Sequence, residues 1–273
     1  MQKINSDIES VTTILDANFM ASKRGWTREQ LLVAFRLYCQ IPFGKLHSRN
    51  PEIIKFSDYI GRTPSALAMK LSNIASLDPA IISTGRKGLV GASLADRNMW
   101  DEMQNDWESF VEKSESVMVA ISGKDSETLQ IEKSVDYTGR NKLVQTQARI
   151  GQQFFRKTVL SAYDGKCCVT GLSQPKLLVA SHIVPWKDDE STRLNPRNGL
   201  ALSMLHDKAF DSGMITIDTN MKIVVSRKYS GSNDPFFDSA IQCYAGKEII
   251  LPEKFEPDEK FLEYHRNNIF EKG

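Results

Sequence analysis

Leu177 to Gly213 reads LLVASHIVPWKDDESTRLNPRNGLALSMLHDKAFDSG and holds two of the four histidines of the chain. Leu177 to Val184 is a short apolar run suited to a buried strand, and Pro185 ends it by removing a backbone donor. His182 is expected at the end of that strand. Asp188, Asp189, Glu190, Ser191 and Pro196 make a polar loop, and Gly199 to Leu202 is a second apolar run with Asn198 at its mouth. Ser203 then caps a short helix carrying His206, Asp207, Phe210 and Asp211, with Gly213 as its C′ stop. The order is strand, loop, strand, helix.

His182, Asn198 and His206, in that order on those elements, resemble the His-Asn-His triplet of HNH endonucleases, whose fold is a ββα-metal finger. Arg149-Ile-Gly-Gln-Gln-Phe-Phe-Arg156, followed by Cys168-Val-Thr-Gly-Leu172, adds to the likeness. The resemblance implies phosphodiester hydrolysis in nucleic acid. That chemistry needs a base that titrates near neutrality and a cation to neutralise charge developing on phosphorus oxygens. By resemblance His182 is the general base, His206 a metal ligand, and Asn198 the group that orients the loop or the base. Many family members place an Asp or His immediately before the base, where this chain has Ser181. Asp207 or Asp211, on the same helix as His206, could supply the missing oxygen; adjacent helical positions point about 100° apart and Asp211, five positions on, is also off the face, so Asp207 is taken as a possible ligand. A mixed nitrogen and oxygen site suits Mg²⁺ or Mn²⁺.

With 273 residues, 41% hydrophobic and 25% charged, the composition suits two modest domains with separate cores. No apolar run approaches the roughly 20 residues of a membrane span and no signal-peptide core is present, so a cytoplasmic protein is expected. Cys39, Cys167, Cys168 and Cys243 show no Cys-x-x-Cys spacing, which predicts neither structural zinc nor a disulfide framework. The net charge of +1 argues against indiscriminate polyanion binding. Sign nevertheless varies along the chain. The stretch 101–133 is acidic, whereas Arg140, Lys142, Arg149, Arg156 and Lys157 precede the motif, and Arg149 and Arg156 are the phosphate-contact candidates.

The N-terminal region reads as three helices. Thr27 is an N-cap with Gln30 as its capping-box partner, ahead of the apolar stripe Leu31, Leu32, Phe35, Leu37 and Tyr38. Pro51 starts a second helix, and Thr63-Pro64 opens a third whose core face is Leu67, Leu71 and Ile74. Helix, helix, short glycine turn, helix, with Trp26-Thr27 and Gly61-Arg-Thr-Pro64, resembles Myb-like or SANT-like helix-turn-helix units. Such a unit lays its last helix in the major groove of duplex DNA. Arg62, Lys70 and Asn73 are its DNA-contact candidates, with Arg86 and Lys87 as a basic wing. A tri-helical module for dimerisation or partner binding is the alternative.

The fold expected is therefore α+β: a helix-turn-helix-like domain over 1–95, a helical and polar linker over 96–135, and a ββα-metal nuclease domain over 136–273. A long helix from Ser93, a linker at Gly123–Thr128, a helix from Ala148 to Tyr163, a β-hairpin extending the small sheet after Met214, a third short strand at 248–251 and a closing helix after Pro257 complete the layout. His265 and His47 are read as packing or surface histidines. The function expected is a metal-dependent double-stranded DNA endonuclease of restriction or defence type. One finger cuts one strand, so a homodimer is the expected assembly. The competing class is a DNA-binding regulator built on an HNH fold that has lost its chemistry.

Overall fold

The computed structural model describes residues 25–83, 85, 91–122, 139–229 and 234–272, with side chains of the helix from Gly139 described from Ala148 onward. The linker expected at Gly123–Thr128, the domain start near Tyr137 and the wing at Arg86 and Lys87 lie outside these residues. Contacts divide the chain into two compact units, 1–151 and 152–273.

The first unit is helical: α1 (Arg28–Gln40), α2 (Pro51–Tyr59), α3 (Pro64–Ala75), α4 (Pro79–Ser83), α5 (Leu94–Asn105) and α6 (Trp107–Ser122). Local chemistry sets the starts. Thr27 and Gln30 form a capping box on α1, Asn50 caps α2 ahead of Pro51, and Thr63 caps α3 ahead of Pro64. α1 is buried from Gln30 to Cys39 without interruption, because α3, α5 and α6 all pack against it. Residues 96–122, read from the sequence as linker, thus belong to the first unit's core through Met99, Met103, Trp107, Phe110 and Val111. The single long helix expected from Ser93 is two. Asp106 leaves the helical region at φ −148° and ψ 87°, and its Oδ1 accepts from Ser109 N, starting α6 afresh.

The cations expected to face DNA are largely committed inside this unit. Lys70 is 7% exposed, and its Nζ donates to both carboxylate oxygens of Asp96 at 2.8 and 2.9 Å. Asp96 is itself the capping-box partner of Ser93 at the start of α5. Arg62 donates to Gln30 Oε1 at 2.8 and 3.2 Å. Both cations lie 5.0 Å from the Trp26 ring centre. Lys70, expected to face DNA, is instead turned by the register of α3 toward α5 and its carboxylate. Asn73 is half-buried, its Oδ1 in close approach to Gly91.

α7 (Gly139–Ala162) enters the second unit at Gln152 and leads into β1 (Leu178–His182), β2 (Gly199–Ser203) and α8 (Met204–Asp211). α7 starts nine residues before the expected Ala148, and β1 is preceded by a 3₁₀ turn at Pro175–Leu177. β1 and β2 pair antiparallel with Leu178 opposite Ser203 and His182 opposite Gly199. β3 (Ile215–Ile217) and β4 (Ile223–Val225) pair as a separate two-stranded sheet, so the second hairpin does not extend the first. Gly213, at φ +71°, ends α8, and its carbonyl accepts from Glu271 N at 3.0 Å. The strand expected at 248–251 is reduced to a single bridge between Lys222 and Glu248. α9 (Pro235–Ala240) and α10 (Glu259–Asn268) follow.

His265 locks α10 to the motif. It is 1% exposed, its ring stacks on Phe210 of α8 at 3.6 Å, its Nε2 donates to Phe210 O at 3.1 Å, and its Nδ1 accepts from Thr216 Oγ1 at 2.8 Å. Burial lowers its pKa to about 4.

Three measurements test this packing. Lys70→Ala leaves Asp96 buried without its counter-ion and is expected to cost about 3 kcal/mol in denaturant unfolding, against less for Lys70→Met combined with Asp96→Leu. Gly199→Ala places a Cβ 2.4 Å from Val159 Cγ2 and 2.9 Å from Phe155 Cζ; a loss of about 1–3 kcal/mol is expected from the forced shift. The neutral form of His265 is favoured by folding, so its contribution is complete above pH 6.5 and is lost as pH falls from 6.5 toward about 4. That loss amounts to about 3 kcal/mol, and a His265→Gln variant should lack this part of the pH slope.

Candidate metal-finger site

His182 ends β1 where Pro185 stops the strand, which brings it out at the lip of the hairpin. Its ring is sandwiched by packing. Phe155 of α7 stacks on one face at 3.9 Å with an interplanar angle of 5°, and Trp186 meets it edge-on at 5.5 Å. Gly199, directly opposite His182 in the register, permits this, since Val159 and Phe155 occupy the space a Cβ would need. The ring is fixed in one tautomer: Nε2 lies 2.9 Å from the Arg193 carbonyl, which only accepts, so Nε2 carries the proton and Nδ1 the lone pair. Nδ1 takes no hydrogen bond among the described residues. Burial lowers the pKa of His182, partly offset by the Arg193 carbonyl and by the charge of Asp207. The imidazole is therefore neutral at pH 7, as a base requires.

Asn198 is wholly buried. Its Oδ1 accepts from Val184 N at 2.8 Å, and its Nδ2 donates to Val184 O at 3.2 Å and toward Thr192 O and Oγ1 at 3.4 and 3.3 Å. Ile183 N bonds the Asn198 backbone carbonyl at 3.0 Å. One amide thus ties the end of β1 to the loop whose Arg193 carbonyl holds His182. Asn198 spends its amide on backbone groups inside the fold.

His206 lies in the first turn of α8, 3% exposed. Ser203 caps that helix through its Oγ, which takes His206 N at 3.3 Å, and the same Oγ lies 2.8 Å from His206 Nδ1. A hydroxyl can donate to Nδ1 or accept from it, so this contact holds the ring in place in either tautomer. Nε2 is buried and has no hydrogen-bond partner, although the Ala240 carbonyl faces it closely enough to raise its pKa against the lowering by burial. Tyr244 packs edge-on against the ring at 5.5 Å. Ser181, preceding the base, is 3% exposed, and its Oγ also has no partner.

The remaining sequence candidates are placed less centrally. Asp207 is half-buried and acts electrostatically on both His182 and Asp211, whose carboxyl it raises together with burial. Among the described residues no three His, Cys, Asp or Glu side chains gather as a metal-binding group. Arg149 is exposed on α7. Arg156 is spent on the fold, donating to Leu178 O at 2.8 Å and Pro175 O at 3.4 Å, which pins the start of β1 to α7. Phe155, Arg193 and Ser203 are contributors that a search for polar triplets passes over. Phe155 and Ser203 had signals, an aromatic beside the helical Arg156 and an N-cap three residues before a histidine, whereas the Arg193 carbonyl had none.

Residues 167–218 match the family model described as HNH endonuclease. The matched span contains β1, β2, α8 and β3, with His182, Asn198 and His206 in it. No curated protein matches the chain. The ββα order, the neutral histidine at the hairpin lip and the buried asparagine behind it agree with that match, and over residues 167–218 the chain is similar to the HNH endonuclease family.

Proposed function

We propose that the protein is a metal-dependent DNA endonuclease in which His182 takes the proton from the water that attacks the phosphodiester. The observation that carries this is the tautomer: the Arg193 carbonyl fixes the proton on Nε2 and leaves the Nδ1 lone pair as acceptor. Phe155 and Trp186 hold the ring plane, so the acceptor nitrogen points in one direction. Asn198 keeps the carbonyl-bearing loop in register with β1.

A divalent cation is implied by the family, and the buried, unpartnered Nε2 of His206 fits one, because an imidazole nitrogen desolvated without a bond loses stability that a ligand restores. When bound, the cation supplies charge neutralisation at the phosphoryl oxygens. Ser203 would fix the ligand's orientation through Nδ1, with Asp207 as the nearest carboxylate in sequence. Mg²⁺ or Mn²⁺ is the expected ion.

In the N-terminal unit, DNA contact by α3 rests on Ser65, Met69 and Asn73, since Arg62 and Lys70 serve Trp26, Gln30 and Asp96. That face carries no cation, which favours contact with base edges or with a protein over phosphate binding. A restriction or defence role and a homodimer remain part of the proposal, the latter because one metal finger cuts one strand.

Cleavage of supercoiled plasmid in Mg²⁺ or Mn²⁺ tests the reading. Wild type should nick or linearise it, and His182→Ala should lower the rate by about 10²–10⁴-fold, with Asn198→Ala intermediate. The rate should fall as pH drops below the ordinary histidine range, because burial shifts loss of the neutral base to lower pH. Equal inertness of wild type and His182→Ala, with DNA binding intact, would favour the regulator reading.

A further inference from the structure

The loop that holds His182 also carries a guanidinium beside it. Trp186 meets the His182 ring edge-on at 5.5 Å, and Arg193 Cζ lies 5.0 Å from the centre of the same indole. Arg193 Nε donates to Trp186 O at 2.8 Å, which fixes the side chain along the loop, while the Arg193 carbonyl holds His182 Nε2. Burial is the main cause that lowers the His182 pKa, and the Arg193 charge adds to it, which puts the cation within electrostatic reach of the base.

The outer end of this guanidinium is held by an acid that stands in solvent. Nη2 donates to Glu190 Oε1 at 2.9 Å, and the Glu190 side chain is 81% exposed, so the pair is screened and contributes little. Nη1 makes no hydrogen bond among the described residues. The other two acids of the loop are engaged elsewhere: Asp189 accepts from Ser191 N and Oγ, and Asp188 accepts from Tyr264 Oη of α10. Arg156 and Arg197, by contrast, end on the fold, the first on the Leu178 and Pro175 carbonyls and the second on the Glu256 carbonyl and Asp258. A guanidinium fork whose one anionic partner is exposed is open to exchange of that carboxylate for a phosphate, since both anions offer paired oxygens to its N–H groups.

We propose that Arg193 binds a backbone phosphate of the DNA strand, next to the phosphate attacked at His182, and that Glu190 occupies the guanidinium until DNA displaces it. This rests on the nuclease reading for the choice of ligand. His182 Nε2 faces the Arg193 carbonyl, so the acceptor Nδ1 looks away from this loop, and a cation carried by the loop meets the strand beside the reacting phosphate rather than on it. Trp186 sets the spacing of cation and base, because its ring lies against both. A phosphate held there fixes the register of the strand over Nδ1, which is what contacts to the sugar-phosphate backbone supply.

Duplex DNA binding by fluorescence anisotropy over a KCl series tests the assignment, with the full chain in chelator so that metal-dependent cutting is off. Arg193→Gln should weaken binding about tenfold near 0.1 M salt and flatten the dependence of log Kd on the logarithm of KCl concentration by about 0.9. Arg193→Lys should keep the wild-type slope, because the charge sets it. Glu190→Gln should tighten binding about 2–5-fold. Thermal unfolding reports whether each variant is folded. A loop that is merely misplaced slows cleavage and leaves the salt slope alone, so an unchanged slope in folded Arg193→Gln overturns the assignment. Equal flattening in Arg193→Gln and Arg193→Lys overturns it as well. Should Arg193→Gln fail to fold, Glu190→Gln decides: tighter binding supports the displacement, and unchanged or weaker binding overturns it. An unchanged slope alongside His182-dependent plasmid cleavage removes the Arg193 assignment and keeps the nuclease reading, whereas absence of both binding and cleavage in wild type removes both.

Discussion

The close approach of α7 to the β1–β2 hairpin at Gly199 governs the second unit. With no side chain there, Phe155 and Val159 lie directly on the backbone of β2, and Phe155 extends under the imidazole of His182. The same turn of α7 carries Arg156, which pins the first carbonyl of β1. Burying Phe155 contributes about 1.5–3 kcal/mol and the ring stack about 1 kcal/mol more. The gain in direction matters more than the gain in energy. A histidine at a strand end has an exposed, freely rotating ring by default, and here stacking, the edge of Trp186 and the Arg193 carbonyl remove each remaining freedom.

The first unit has a comparable hub in Trp26, with Arg62 and Lys70 over its ring. Cations at the start and on the flank of a third helix resemble a DNA-reading surface when only their spacing is known. In the fold they knit α1, α3 and α5 together, through Gln30 and Asp96. What α3 leaves to solvent is hydroxyl, thioether and amide, with no cation among them.

Elements with strong local signals were legible from the residues alone. Thr27, Asn50-Pro51, Thr63-Pro64, Ser93 and Ser203 mark helix starts by their side-chain chemistry, and Gly213 marks a stop by its positive φ. The triplet of His182, Asn198 and His206 falls on the elements its spacing indicates. What spacing did not carry was partner choice. Lys70 faces Asp96 across 26 positions of chain, Asn198 works through the backbone of Val184, and His265 reaches α8 across 55 positions. The break at Asp106 was hidden because the apolar pattern continues through it, and only the capping role of its carboxylate reveals a second helix. The separation of the two hairpins was likewise invisible, since alternation defines a strand but not its neighbour.

Ser203 caps α8 and orients His206 with one oxygen. Helix initiation and the hydrogen bonding of the His206 ring are therefore a single equilibrium. Whenever the first turn of α8 frays, the hydroxyl that holds Nδ1 departs with it, and the imidazole is released to exchange its proton between nitrogens. Amide hydrogen exchange at His206 consequently reports on the ring's hydrogen bonding as much as on helix stability.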